Sequence, residues 1–333
     1  MVTITFFNNK GGVGKTTTLC NLASYLALKK NKRVLIIDAD PQCNSTIYLL
    51  PENTVLDINF NKDTQTIGKL ISEYQARNPI NNINFFESEG FGVKVLPGDT
   101  IFAKFEDYFS QRWTAFQSGD IDAVKVTRFF KDEILNRIQE DFDYVFFDVG
   151  PSLGAINRVI LLSCDLFIMP MAADIFCLKA VENITEILKK WIEQYKTGIT
   201  KYNEESGQEQ IDIEQTIRFL GYIQLQYKSK TVDGEKQPVR AYDNIIQQFP
   251  EKIQTEFEFL YQGLNSDDLK LGDIPTLNSL IPFSQTANKP IFSLTSIDGV
   301  FGAQTKKVKE FDEIIGTICD KVLHNINEYD SLA

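Results

Sequence analysis

The sequence predicts an α/β protein whose mostly parallel sheet is flanked by helices. Three observations predict it. Short apolar runs alternate with longer amphipathic segments, as they do where helices cover a parallel sheet. The runs Arg33-Val-Leu-Ile-Ile-Asp38 and Asp143-Tyr-Val-Phe-Phe-Asp148 are apolar without alternation, the pattern of strands covered on both faces. A glycine-rich turn joins the first run to the first helix.

In chain order, Val2–Phe7 is the first strand and Thr16–Lys29 the helix after the turn. Arg33–Asp38 is the second strand. Residues from about 51 to 140 read as an elaboration on the core, with helical patterns at Thr64–Arg77, Asp99–Trp113 and Ile121–Gln139 and one short strand, Val93–Leu96. Asp143–Asp148 and Leu166–Pro170 follow as strands. Ile175, Leu178, Val181, Ile184, Leu188 and Trp191 recur by threes and fours, which predicts a helix over Asp174–Tyr195. The polar stretch Thr197–Gln215 reads as a loop and a second elaboration. Phe219–Leu225 and Thr276–Ile281 are the remaining strand expectations, and Ala303–Asn327 the last helix. Neither elaboration is large enough to stand alone, so one domain over residues 1–333 is expected.

Composition narrows the chemistry. Lys and Arg number 34 against 45 Asp and Glu, a net charge of −11, so polyanion binding has to come from a local patch. The five cysteines, Cys20, Cys43, Cys164, Cys177 and Cys319, show no C-x-x-C spacing, which argues against a zinc site or disulfide framework. The single histidine, His324, excludes chemistry that needs two and argues against a Ser-His-Asp triad. No basic-then-apolar leader opens the chain, and Val159–Ala173, broken by Asp165 and Pro170, is too short to span a bilayer. A cytoplasmic protein without a membrane partner is expected.

The run Asn8-Asn-Lys-Gly-Gly-Val-Gly-Lys-Thr-Thr-Thr18 lies directly after a strand and before a helix. Gly11, Gly12 and Gly14 let the backbone turn tightly and point successive N–H groups inward, a nest for phosphate oxygens. The helix adds its positive N-terminal end at the same place. Lys15 can reach β- and γ-phosphates, and Thr16 offers a hydroxyl to Mg²⁺. Asp38, Asp40 and Asp148 fall at or just past strand C-terminal ends, where ligands bind in open α/β sheets. A Mg-nucleotide needs such oxygen ligands and a group to orient the attacking water.

Lys10, just ahead of the glycines, makes the loop K-G-G-V-G-K-T-T, which resembles the ParA/MinD family of deviant Walker A P-loop ATPases. Asp38-Ala-Asp-Pro-Gln42 is similar to that family's first switch, and Phe142–Gly154 to its Walker B strand and second switch. Leu280–Phe283 and Gly302–Gln304 are similar to its nucleotide-base loop and final helix. The resemblance is nearest to ParA-like partition ATPases without an N-terminal helix-turn-helix, since the glycine loop begins at about residue 10. It implies ATP and Mg²⁺ as cofactors, with Lys10, Gly11, Gly12, Val13, Gly14, Lys15, Thr16 and Thr17 around the nucleotide. It implies Thr16, Asp38 and Asp148 toward the metal, Asp40 on the lytic water, and Lys10 reaching across a dimer to the partner's nucleotide.

The resemblance further implies a homodimer in the ATP state that positions or segregates a cargo, nonspecific DNA being the expected one. A ParB-like protein would stimulate hydrolysis. Lys306, Lys307 and Lys309, or Lys228, Lys230, Lys236 and Arg240, are candidate DNA contacts. Two departures stand out: Val149-Gly150-Pro151 follows Asp148 where the family usually has two prolines, and the Asp40–Asp148 connection is long. Gly150 is expected to loosen the second switch. Cys164 and Cys177 lack the context of the family's iron–sulfur members, and Thr305–Ala333 lacks the basic face of a membrane helix. The alternatives are a nucleotide-gated scaffold of a mobile-element or defence system, and a small-molecule kinase or ligase.

Overall fold

The computed structural model describes every residue except 62, 173, 207–209, 214–215, 228, 233–234, 239–244, 278 and 332–333. Its strands are β1 (Val2–Phe6), β2 (Val34–Ala39), β3 (Phe86–Ser88), β4 (Val93–Leu96), β5 (Tyr144–Val149), β6 (Leu166–Ala172), β7 (Arg218–Tyr227), β8 (Ser229–Val232), β9 (Glu235–Pro238) and β10 (Lys270–Pro275). Eight of them form one sheet in the order β10-β7-β6-β1-β5-β2-β4-β3. Every pairing in it is parallel except β3 with β4 at the edge. Strands β8 and β9 form a separate antiparallel hairpin.

The helices are α1 (Lys15–Lys30), α2 (Asn44–Leu49), α3 (Glu52–Phe60), α4 (Ile67–Gln75), α5 (Phe105–Phe116), α6 (Ile121–Thr127), α7 (Asn136–Ile138), α8 (Ala155–Ser163), α9 (Ile175–Glu205), α10 (Phe249–Phe257), α11 (Ile281–Ala287) and α12 (Ala303–Asp330). Among the described residues, none of these is long and apolar enough to cross a membrane.

The central strands are buried along their whole length, as their unbroken apolar runs require. Ile4, Phe6, Leu35, Ile36, Ile37, Val145, Phe146 and Phe147 are closed to solvent, each side chain worth about 1.5–3 kcal/mol of burial. Helix α1 covers them with Leu19, Leu22, Ala23 and Leu26, and closes on Asn31, whose left-handed φ of 53° returns its N–H to the Leu26 carbonyl.

The 51–140 region adds packing helices, as its length requires. Its aromatic side chains reach the sheet: Phe109 and Phe102 pack on Phe130, which lies 5.8 Å from Phe147 of β5. One expectation needs correction there. The helix expected over Ile121–Gln139 breaks into α6, a π-helical turn at Phe130–Leu135 and α7. Helix α3 and strand β3 in this region, and helix α2 just before it, were not foreseen.

The loop expected over Thr197–Gln215 is also corrected, because α9 continues to Glu205. Tyr195, Ile199 and Tyr202 are buried and extend the stripe of Leu178, Val181, Ile184, Leu188 and Trp191. The Ile175 side chain, and 207–209 and 214–215 of the expected loop, lie outside the described residues. The strand expected at Thr276–Ile281 is instead β10, which ends at Pro275, and Ile281 with Pro282 starts α11. Proline is preorganised for a first helical turn and cannot donate to a sheet, so Leu280-Ile-Pro reads as a helix start. Asn278 of that stretch is outside the described residues.

Candidate nucleotide site

The site grows from the C-terminal ends of β1, β2 and β5. Parallel register sets Phe6 beside Asp148, and Asp38 beside Asp148. Beyond β1 the Phe7 N–H still donates to the Ile168 carbonyl at 3.0 Å, carrying the chain straight into the loop. Buried Asn8 then anchors it: its Nδ2 donates to the Pro170 carbonyl at 2.7 Å, and its Oδ1 accepts from the Lys10 N–H at 3.0 Å. Gly12 and Gly14 take φ of 71° and 88°, the left-handed geometry that glycine allows without strain. Gly14 is the N-cap of α1 and supplies no side-chain cap, so the first N–H groups of the helix remain open for an anion. Val13 is buried and pins the loop to the core, while Gly11 and Gly12 are exposed.

Lys15 is only 8% exposed and curls back so that its Nζ donates to the Asn8 carbonyl at 3.3 Å. Burial lowers its pKa, with the charges of Asp148 and Asp40 acting the other way. Asp38 is buried on its own hydrogen bonds: Oδ2 accepts from the Thr46 N–H at 2.7 Å and the Thr46 hydroxyl at 2.6 Å. Burial still holds its carboxyl above the usual range. The Cβ-less Gly98 fits against this carboxylate, where an added Cβ would lie 3.0 Å from Asp38 Cγ. Asp40 turns the segment after β2, its Oδ1 accepting from the Gln42 N–H at 3.0 Å.

Asp148 is different. Its two carboxylate oxygens are buried and neither has a hydrogen-bond partner. Burial first, then the Asp38 charge, pushes its pKa up; the nearby Thr16 hydroxyl and Lys15 ammonium counter this in part. Unpartnered buried carboxylate oxygens facing a helix that carries a threonine hydroxyl suit a hydrated Mg²⁺ that arrives with phosphate oxygens. Among the described residues no group of three or more His, Cys, Asp or Glu could hold an ion unaided.

The loop after β5 is hydrogen-bonded on both sides of Pro151. Buried Asn157 donates through Nδ2 to the Gly150 carbonyl at 2.7 Å and the Ser152 carbonyl at 2.8 Å. A Cβ on Gly150 would stand 3.3 Å from Asp40 Oδ1, so glycine lets the segments after β2 and β5 approach. Asn8, Thr46, Gly98 and Asn157 were not singled out from the sequence. Asn8 carried a signal, since it sits between the first strand and Lys10; the other three become neighbours of the site only through the sheet.

The candidate DNA lysines stand elsewhere. Lys306, Lys307 and Lys309 are exposed near the start of α12, Lys306 lying 3.9 Å from Glu310. Lys228 and Arg240, and the side chains of Lys230 and Lys236, lie outside the described residues.

A left-handed glycine turn between strand and helix, a lysine buried inside it and carboxylates at the ends of neighbouring parallel strands define a P-loop NTPase. Lys10 ahead of the glycines gives it the deviant Walker A form. The chain belongs to the AAA domain family (AAA_31), whose model matches residues 1–201, and is a ParA/MinD-type P-loop ATPase.

A Corynebacterium diphtheriae protein of solved structure, DIP2308, is 30% identical and superposes with a TM-score of 0.71 over 86% of this chain and 97% of its own. The chromosome partitioning protein ParA of Caulobacter vibrioides is 31% identical over 183 residues, 55% of this chain and 59% of that protein. Escherichia coli plasmid partition protein A is matched over 40% of its length at 25% identity. The match thus spans less than two thirds of each of these two curated relatives. A McdA–ATP complex from Cyanothece shares the fold at 17% identity, with a TM-score of 0.61 over 94% of this chain and 97% of its own.

Proposed function

We propose that this protein is an ATP-dependent dimerising switch that positions or segregates a cargo in the cytoplasm, DNA being the favoured cargo. The observation that carries the reading is Lys10. The phosphate nest already has its buried lysine in Lys15, and Lys10 stands outside it with its side chain 34% exposed. A cation so placed is surplus to phosphate binding within one chain and suited to a nucleotide in a second copy.

In this reading Lys15 and the loop N–H groups from Gly11 to Thr17 hold the phosphates. Thr16, Asp38 and Asp148 would hold Mg²⁺, the carboxylates largely through water. When bound, the ion would neutralise part of the phosphate charge. Asp40 orients a water whose oxygen attacks the γ-phosphorus; the bond to the β,γ-bridging oxygen breaks, and ADP and phosphate leave. Lys10, reaching the partner's nucleotide, makes the dimer depend on ATP. Hydrolysis releases the subunits, a two-state switch biased by the γ-phosphate. A ParB-like partner protein that speeds hydrolysis completes the cycle. The similarity to the Caulobacter chromosome partitioning protein supports the reading.

Sedimentation of the purified chain with ADP and with a nonhydrolysable ATP analogue tests it. Wild type is expected to be monomeric with ADP and dimeric with the analogue. Lys10→Ala should keep nucleotide affinity within about threefold and stay monomeric. A Lys10→Ala protein that dimerises as wild type does removes the cross-subunit role, and turnover on a small acceptor would favour the kinase alternative.

A further inference from the structure

Of the two loop lysines, Lys10 is the one whose side chain leaves the loop. Its ammonium donates to Asp174 Oδ2 in an ion pair, 164 residues away in sequence. Its backbone N–H is held as well, by Asn8, which is itself tied to the Pro170 carbonyl on β6. Lys10 is therefore fastened, main chain and side chain, to the connection between β6 and α9. Phe176, in the first turn of α9, stands with its ring centroid 5.9 Å from the ammonium and is 68% exposed.

Asp174 divides its carboxylate between two tasks. Oδ1 caps α9, accepting from the Phe176 N–H at 2.9 Å and the Cys177 N–H at 3.1 Å. Oδ2 holds Lys10. The cap needs one acceptor oxygen, which serine or asparagine also supplies; the ion pair needs the charge.

We propose that Asp174 is a positioning residue that holds Lys10 in its own subunit and so sets the threshold for ATP-dependent dimerisation. This rests on the switch reading above. An ammonium paired with Asp174 has to leave it before it can reach a nucleotide across an interface, so the pair lowers the population competent to dimerise. The two side chains are 34% and 27% exposed, which places the pair in the weak, salt-sensitive class. The latch biases the equilibrium and does not lock it. Phe176 offers the ammonium an aromatic face at the same place and leaves it open to approach.

Two variants separate latch from cap. Asp174→Asn and Asp174→Ser keep a capping oxygen and remove the charge; unchanged melting curves confirm that α9 is intact. On the nucleotide-free chain, brief acetylation read by mass spectrometry should label Lys10 several-fold faster in both variants than in wild type. With the nonhydrolysable ATP analogue, both should dimerise about two- to thirtyfold more tightly, because neither of the two subunits then gives up a partly exposed pair. Lys10→Ala/Asp174→Asn should remain monomeric, and high salt should narrow the gap between wild type and Asp174→Asn. A wild-type chain that stays monomeric with the analogue removes the switch reading and the threshold with it. A wild type that dimerises through Lys10, with Lys10 labelling unchanged or dimerisation no tighter in the variants, removes the latch alone.

Discussion

Asp148 carries a charge problem that the nucleotide-free chain leaves open. A carboxylate buried without a partner raises the free energy of its ionised form, so the folded chain binds the proton more tightly than the unfolded chain does. The sign follows directly. Stability from this group is complete below the ordinary carboxylate range near pH ~4 and is lost as pH rises through the raised folded value. The nucleotide-free protein should therefore lose urea stability between pH 5 and pH 8 by more than Asp148→Asn does. At pH 8 the variant should be the more stable by on the order of 2 kcal/mol, the cost of a buried unpaired polar group. Mg-ATP should stabilise wild type far more than the variant. Parallel pH profiles for the two proteins would show that Asp148 is not the group titrating.

At the scale of elements, α5 holds the start of α8. Glu106 of α5 accepts from the Ala155 and Ile156 N–H groups, closing the N-terminus of α8 with a carboxylate. One turn on, the Arg158 guanidinium lies 4.2 Å from the Trp113 ring and 5.8 Å from that of Trp191, bridging α5 and α9. Gly154 makes the closure possible, because a Cβ there would lie 2.4 Å from Glu106 Oε1. Gly154→Ala should push Glu106 off the helix end and cost about 1 kcal/mol, the usual value of a lost cap, in urea unfolding. Glu106→Ala should cost about as much, and the double variant little more than either, because both remove one interaction. Additive losses would show that Gly154 matters for another reason.

For the whole molecule, charge opposes the favoured cargo. A net charge of −11 repels duplex DNA at long range, so a monomer should bind it poorly. Pairing two subunits doubles any local cationic patch and makes attachment bivalent. Retention on plasmid DNA should therefore need the ATP analogue and fall steeply with salt as condensed counterions are released. Changing Lys306, Lys307 and Lys309 to Glu should weaken retention at least about tenfold and leave analogue-dependent dimerisation intact. An analogue-bound dimer that ignores DNA at low salt would shift the reading to a nucleotide-gated scaffold.

The phosphate loop from Lys10 to Thr17 is legible in the sequence because its geometry is local: glycines permit the left-handed turn, and the strand and helix beside them come from adjacent patterns. Asp38 and Asp148 are legible too, as carboxylates closing unbroken apolar runs. The sequence does not show that β5 lies between β1 and β2, which makes the two carboxylates register neighbours and, through burial and mutual repulsion, raises the pKa of Asp148. Strand β10 escaped notice because only Leu271 and Ile274 are buried and Gly272 and Asp273 interrupt it; pairing with β7 makes it a strand. Asp174 lies 164 positions from Lys10, and Glu106 lies 49 from Ala155. Periodicity reports what a segment buries; which charge meets which, and in how dry a place, depends on long-range contacts that only the folded sheet creates.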